Sequence, residues 1–450
     1  MRILRLILTV DPAYGGPIAG ISAITPCLAA RGHSTTIASL DAPDAAFLAG
    51  QSRGIGARIV PLGPGRFRCR YTGRLRQWLA AQAAGFDIAV LHGLWNYAVI
   101  GGGHGLKAAG LPYVVYAHGM MDPYFARIAP LKFRAKRLAW TLTQGAVLHH
   151  AQRVLFTSQQ EQRLATRTFP RPRYHARVIA YGAKAAMAAS EETGALVAAL
   201  PRLRGRRYLL YLGRIHEKKG ADLLIDAFAQ LAATDPALDL VIAGPEPDGF
   251  GQRLRQQACA LGIAHRLHWP GLIRGAVKAA AFGGAEAFVL PSHQENFGIA
   301  VVEALSHGCP VLISDQVNIC SEIAQAGAGL VAPDTPDGVV QLLTCWSALP
   351  AGQRAEMARS ARRLFQERFT PQAAAADLDE VLTAAIRSGA RTAGKAARPL
   401  PVPPALRAAQ SGSGAGPKRH KTSAPHPAQY GAASSARPPA PPAAPIGNSP

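Results

Sequence analysis

Ten short apolar runs, separated by Ala/Leu/Arg-rich stretches that read as helices, constrain this chain more than any other feature. A run such as "ILRLILTV" or "AEAFVLPS" is too short for a buried helix and too continuous for a half-exposed strand. It suits a strand covered on both faces, as found in parallel sheets with helical crossovers. "ILRLILTV", "HSTTIASL", "DIAVLHG", "YVVYAHG" and "RVLFTS" form a first series. "YLLYLGR", "LDLVIAG", "HRLHWPG", "AEAFVLPS" and "PVLISD" form a second. The expected fold class is therefore α/β, with two Rossmann-like doubly wound domains facing a central cleft. The seam falls between Gly182 and Arg207, where "KAAMAASEETGAL" carries no strand pattern.

The expected division is residues 1–190, 191–370, a C-terminal helix over 371–388, and a disordered tail over 389–450. Thirteen of the 35 prolines lie in the last sixty residues, among Ala, Gly and Ser. Such a stretch buries too little apolar surface to offset its chain entropy. Upstream, "GQRAEMARSARRLFQERFTPQAAAADLDEVLTAAI" reads as two helices broken near Pro371. The opening "MRILRLILTV" reads as a first buried strand rather than a signal peptide, since Asp11, Pro12 and a glycine loop follow it. No stretch approaches the ~20 apolar residues of a membrane span, so any membrane contact is expected to be peripheral.

The chain carries 49 basic and 27 acidic residues, a net charge of +22. Eight of the basic residues and no acid lie from Arg391 onward, which leaves 41 against 27, or +14, in the rest. A basic folded part admits nucleic acid, anionic lipid or phosphorylated substrates as partners. The six cysteines are scattered without C-x-x-C pairs and read as reduced thiols, with neither disulfides nor zinc. A cytoplasmic location follows as an expectation, at or near the cytoplasmic face of the inner membrane.

"PSHQENFGIAVVEAL" places Glu295 in a strand-to-helix loop and Glu303 inside the following helix. This is the carboxyl edge of a parallel sheet, where open α/β folds bind ligands. The amides of Asn296, Phe297, Gly298 and Ile299 would form a helix N-terminus suited to an anion. Donors flanked by two carboxylates suit a ligand carrying both phosphates and hydroxyls. In "YLGRIHEKKGADLLIDAF", Arg214 and Lys219 can converge over one loop to neutralise a diphosphate. Gly15 and Gly16 in "DPAYGGPIAGIS" would let a ligand approach the first strand's exit, although the G-x-G-x-x-G spacing of dinucleotide folds is missing. His92 and His118 each end a strand as His-Gly, and Asp122 is placed to orient His118 or to meet acceptor hydroxyls. The D-x-D at Asp377-Leu378-Asp379 is expected on the solvated face of the last helix.

Together, "YGGP", "HGMMDP", "YLGRIHEKKG", "VIAGPE", "PSHQENFGIAVVEAL" and "GCPVLISDQVNICSEI" resemble the retaining GT-B glycosyltransferases of family 4. The likeness is strongest to bacterial members that build exopolysaccharide, capsule or lipid-linked oligosaccharide. It covers about residues 1–387, is tightest in the second domain, and implies a C-terminal helix that crosses back to the first domain. The resemblance implies that Glu303 binds ribose hydroxyls, and that Glu295 with the amides from Asn296 to Ile299 holds the donor hexose and phosphates. It implies that Arg214 and Lys219 stabilise the departing diphosphate, that the Gly15-Gly16 loop closes on it, and that His118 sits beside the transferred sugar. Ile273 and Lys278 match a segment lining the base pocket. The donor would be GDP-mannose or a UDP-hexose, the acceptor a glycan or polyprenyl-diphosphate-linked oligosaccharide, and no metal or other cofactor would be required. The chain departs from the family at "YGAK", where asparagine-glycine-valine is usual, and at Cys320, where an aromatic is frequent.

Basic and aromatic residues interleave in "RFRCRYTGRLRQWLAAQ" and "RIAPLKFRAKRLAW", which suits contact with anionic membrane. Two other readings stay open: a nucleotide-sugar epimerase on the same architecture, and a basic nucleic-acid-binding protein, against which stands the absence of any recognition module.

Overall fold

A computed structural model describes residues 1–396 except 141–142, 170–172, 185–193 and 247. The proposed junction around 190 and most of the proposed tail lie outside the described residues. Two parallel sheets organise the rest. The first contains β1 (Arg2–Ile7), β2 (Ser34–Ser39), β3 (Arg58–Pro61), β4 (Ile88–His92), β5 (Tyr113–Tyr116), β6 (Arg153–Phe156) and β7 (Ala176–Val178), ordered β3-β2-β1-β4-β5-β6-β7. The second contains β8 (Arg207–Leu212), β9 (Leu238–Ala243), β10 (Leu267–Gly271), β11 (Ala287–Leu290), β12 (Val311–Ser314) and β13 (Gly329–Ala332), ordered β10-β9-β8-β11-β12-β13. Every apolar run singled out in the sequence forms one of these strands. The additional strands β3, β7 and β13 are short and only partly buried, so they lack the continuous apolar signature. Strand order reverses between β1 and β4 and again between β8 and β11. Those two switch points leave crevices outside the strands' carboxyl ends.

Alternation along β1 sets the two faces of the first sheet. Leu4 and Leu6 join Leu91, Val115 and Phe156 in one core layer. Ile3 points the other way, with Val90, Val114 and Tyr116, toward the helix Gly16–Ala30. Arg5 shares that second face and is fully buried.

The same face is covered by the helix Pro371–Ala396, which packs along Gly16–Ala30. Thr370 caps its start by accepting from the Ala373 amide at 3.3 Å, and Pro371 takes the first helical position, where a missing N–H costs nothing. Ala374, Ala375, Leu378, Val381, Leu382 and Ala385 form its buried stripe. The helix runs through Ala396, further than position 388.

The aspartates of this helix correct the expectation of a solvated face. Asp377 accepts from the Ala180 amide at 2.8 Å, and Asp379 accepts from Arg31 Nε at 3.1 Å with His33 Nε2 3.0 Å away. The buried stripe is wide enough that its flanking carboxylates land on the first domain. Burial works to raise the Asp379 carboxyl, but the hydrogen bond from Arg31 and the nearby His33 outweigh it and hold the group below its ordinary value. A carboxyl lowered on folding stabilises the protein above its unfolded value, and that contribution fades as pH falls through the folded value. Asp379→Asn should therefore cost about 1 kcal/mol at pH 7 and progressively less as pH falls below the ordinary carboxylate value, read from urea midpoints.

Candidate functional site

Both switch points open onto one cavity of about 1080 Å³. From the second domain, β8 delivers Gly213 and Arg214, and the segment after β10 delivers Ile273, Arg274 and Lys278. The helix Ile299–Ser306 contributes Ile299 and Glu303, and the first domain contributes Tyr14, Gly15 and Ile18. Lys184 also lines the cavity. Among the described residues, its charged lining is four cations, Lys184, Arg214, Arg274 and Lys278, against the carboxylate of Glu303. Lys278 Nζ donates to Glu303 Oε1 at 2.6 Å. Among the described residues, the Arg214 and Arg274 guanidiniums have no hydrogen-bond or ion-pair partner, so their charge is free to meet an anion.

Local backbone explains how these groups are held. Gly244 has φ 146°, and a Cβ there would lie 1.7 Å from the Gly213 carbonyl oxygen. The exits of β8 and β9 therefore close on each other with no side chain between them. After Arg214, a short 3-10 turn over Glu217–Lys219 is capped by His216, which accepts from the Lys218 amide. Its end at Gly220, φ 66°, presses on the Pro291 carbonyl so closely that only glycine fits.

That turn brings Lys219 against Glu295, and the two form an ion pair. The Glu295 loop is itself fixed by its amide donating to Gln316 O at 3.0 Å and its carbonyl accepting from the Asn318 amide at 3.0 Å. Burial, and then the neighbouring cations Lys218 and Arg214, lower the Lys219 ammonium to about 7. Beyond Glu295, the amides of residues 296–299 find no acceptor among the described residues and precede a helix whose cap, Gly298, has φ 71°. Asn296 and Phe297 themselves turn to the first domain. Asn296 Nδ2 donates to Thr157 Oγ1 at 3.3 Å, and the Phe297 ring meets Tyr181 edge-on at 5.1 Å.

Of the residues proposed from sequence, Gly15, Arg214, Ile273, Lys278, Ile299 and Glu303 line the cavity together. Gly16 lies beside it, with its missing Cβ position 4.0 Å from Ile299. Lys219, Glu295 and residues 296–298 are not among the residues lining the cavity; Lys219 pairs with Glu295, and the charge of Arg214 acts on Lys219. His118 lies at the exit of β5 in the left-handed region, φ 49°, and is half-buried. Asp122 does not orient it. Its carboxylate accepts from Gln294 Nε2 at 3.1 Å and from the Tyr124 amide at 2.8 Å, tying the two domains together. His118 is instead contacted by His92, with Nδ1 of His92 3.1 Å from Nε2 of His118.

Sequence reasoning missed Arg274, Lys184, Tyr181, Glu161 and Arg5. Arg274 adjoins Ile273 and was within reach of the same motif. Lys184 closes "YGAK", the segment that departs from the family. Tyr181 spans the helix Gly16–Ala30, its hydroxyl 3.3 Å from the carbonyls of Gly16 and Pro17, which no local pattern shows. Glu161 is buried and accepts from the Gly119 amide at 2.6 Å and the Thr157 amide at 2.7 Å, so it shapes the His118 turn from beneath. Arg5 did leave a signal, a charge at the centre of an apolar strand.

Two doubly wound domains closing on a cationic cleft, tied by a C-terminal helix that returns to the first, define the GT-B class of fold. Residues 15–182 match the family described as a glycosyl transferase 4-like domain, and residues 196–364 match glycosyl transferases group 1. The first match falls on the domain built around β1–β7 and the second on the domain built around β8–β13. Among solved structures, HepE of Anabaena in complex with UDP and glucose aligns with a TM-score of 0.68 at 19% identity, covering 85% of this chain and 99% of that one. WaaG, a glycosyltransferase involved in lipopolysaccharide biosynthesis, aligns with a TM-score of 0.60 at 17% identity, covering 83% and 98%. In sequence, the chain is 29% identical over 180 residues to D-inositol 3-phosphate glycosyltransferase of Jonesia denitrificans, covering 38% of this chain and 41% of that protein. It is 35% identical over 143 residues to phosphatidyl-myo-inositol mannosyltransferase of Mycolicibacterium smegmatis, covering 31% and 36%. The matched stretches span between 25% and 41% of the first three relatives' own lengths.

Proposed function

We propose that the chain moves a hexosyl group from a nucleotide sugar to a glycan or lipid-linked acceptor, with retention of anomeric configuration. The observation that carries this reading is the cavity itself, where, among the described residues, the unpartnered guanidiniums of Arg214 and Arg274 stand beside the Lys278–Glu303 pair. Breaking a sugar–phosphate bond puts negative charge on the nucleoside diphosphate and positive charge on the sugar ring. Arg214, Lys219 and the 296–299 amides supply a fixed positive potential for the diphosphate. Glu303, already oriented by Lys278, offers its second oxygen to a ribose diol. Glu295 holds the hexose hydroxyls and buffers the charge of Lys219. With no further carboxylate among the described lining residues to serve as a nucleophile, the acceptor attacks from the face the diphosphate leaves, and the leaving phosphate takes the acceptor's proton. Charge neutralisation by side chains and amides is sufficient in this scheme without a divalent metal.

A thermal-shift panel of nucleotide sugars, run in excess chelator, tests the reading. One member, GDP-mannose or a UDP-hexose, should raise the melting temperature by several degrees, and its product with a suitable acceptor should keep the donor's anomeric configuration. A flat panel, or an inverted product, would overturn it. Turnover of donor without any acceptor would point to an epimerase instead.

The acceptor side carries its own signature. The helices Tyr124–Ile128 and Pro130–Ala139 expose Ile128, Leu131 and Leu138, the last two 77% and 84% accessible, among Lys132, Arg134 and Arg137. Apolar side chains flanked by cations suit a peripheral contact with anionic lipid and delivery of a polyprenyl-diphosphate acceptor. The protein should float with phosphatidylglycerol-containing vesicles at low salt and be released at high salt. Flotation that is the same on neutral vesicles would count against this assignment.

A further inference from the structure

Arg5 is the most anomalous buried group among the described residues. It sits mid-strand in β1, wholly inaccessible, and its Nε and Nη2 atoms have no hydrogen-bond partner. Among the described residues its only polar contact is Nη1 to His92 Nε2 at 3.1 Å. Among the described residues no carboxylate pairs with it. Tyr116 and Tyr181 are the ionisable groups acting on it, while burial lowers its proton affinity. A buried cation without a counter-ion costs stability, and apolar replacements of buried charges are often neutral or stabilising. The fold has no structural need of such a residue at this point.

The chemistry of hydrogen bonding gives Arg5 a consequence at His118. A guanidinium only donates, so His92 Nε2 must offer a lone pair. The single proton of a neutral His92 then lies on Nδ1 and is donated to His118 Nε2, 3.1 Å away. His118 Nε2 must in turn offer a lone pair, which places the proton of His118 on Nδ1. Protonating His118 would set two N–H groups against each other, so the geometry also keeps it neutral. The rings are ordered for this. His92 and His118 stack at 5.4 Å and 17°, Tyr116 stacks on both at 5.3 Å, and Tyr181 closes the edge of His118 at 5.9 Å. The ionisable groups facing His118 are thus Arg5 from β1, His92 from the exit of β4, Tyr116 from β5 and Tyr181 from beyond β7. Glu161 lies behind the adjacent Gly119 amide. His118 Nδ1 has no partner among the described residues.

We infer that Arg5, acting through His92, is a positioning residue that locks His118 into its Nδ1–H tautomer, so that His118 meets the transferred sugar as a hydrogen-bond donor. The contact with the sugar rests on the proposed function together with the place that the family resemblance implies for His118, whereas the tautomer does not. Without Arg5, His92 is released to carry its proton on Nε2. His118 can then donate from Nε2 and turn a bare lone pair toward the sugar.

The test uses the full chain with 15N-labelled histidine, the His118 signals being assigned by their loss in His118→Asn. Long-range proton–nitrogen spectra of the wild type should show His118 protonated at Nδ1 and bare at Nε2. Arg5→Met should shift His118 toward the Nε2–H form with a melting temperature equal to or above wild type, and Arg5→Lys, which still donates, should keep the Nδ1–H form. With a donor found in the nucleotide-sugar panel, Arg5→Met should lower kcat at least tenfold with little change in KM, and Arg5→Lys should restore part of the loss. Wild-type His118 protonated at Nε2, or Arg5→Met with unchanged tautomer or unchanged kcat, would overturn the inference. Should Arg5→Met not fold, the wild-type and Arg5→Lys spectra still decide it. A flat panel with the expected tautomers would instead remove the sugar from the argument and leave the relay standing.

Discussion

Alanine at both Arg214 and Lys219 should lower turnover about a thousandfold, with a smaller change in donor KM. The two cations face a diphosphate whose charge grows only as the glycosidic bond breaks, so they act mainly on the transition state. Removing a single preorganised donor of this kind typically costs about 10²–10³ in rate, and two that share one charge are not additive. The single variants separate chemistry from folding. Arg214 is exposed and unpartnered, so Arg214→Ala should leave the melting temperature unchanged. Lys219→Ala strands the Glu295 carboxylate in a mostly buried place and should also lower stability. The pH profile adds a second reading. With its free-protein value lowered to about 7, Lys219 loses its proton as pH rises through that point, so kcat/KM should fall on the alkaline side near pH 7. A bound diphosphate raises the ammonium again, so the same limb should move upward in kcat. Full activity in the double variant would end the proposed mechanism.

Gly244→Ala is expected to produce the largest loss of stability from any single methyl group near the site. Its φ of 146° is strained for any L side chain, and the added Cβ would fall 1.7 Å from the carbonyl oxygen of Gly213 and 2.7 Å from its carbon. Both obstacles are backbone at the exits of paired strands, and neither can turn aside. A cost of about 3–5 kcal/mol follows, or a melting temperature about 10 °C lower. Gly249→Ala is the control, because its φ of 68° is strained but nothing lies within 4 Å of the new atom. It should cost about 1 kcal/mol. Equal shifts in the two variants would mean that contact with Gly213 is not what matters.

The two series of apolar runs were enough to read the sheets, because a strand covered on both faces must be apolar throughout. The strands that escaped, β3, β7 and β13, lie at sheet edges where one side is open and polar residues are tolerated. The second-domain site was legible because its parts are close in sequence. Glu295, the free amides and Glu303 fall within one strand–loop–helix unit, and Arg214 and Lys219 within another. The first-domain site was less so. Asp122 lies four residues from His118 and was placed beside it, yet its partner is Gln294, 172 positions away. The group that does hold His118 comes from a different strand, and the one behind that, Arg5, from a third. Asp377 and Asp379 show the same limit. Spacing placed them on a helix, but only packing decides that their side of it meets Arg31 and Ala180 rather than water.

The returning helix Pro371–Ala396 also governs how this molecule is made. Its buried stripe is a missing wall of the amino-terminal lobe, supplied by the far end of the polypeptide. During synthesis that lobe emerges first but stays open along Gly16–Ala30 until the other lobe has been translated and the ribosome has released residues near 396. A fragment ended at the seam between the lobes would leave the ribosome with bare apolar surface where that wall belongs, and should aggregate unless residues 371–396 are supplied in trans.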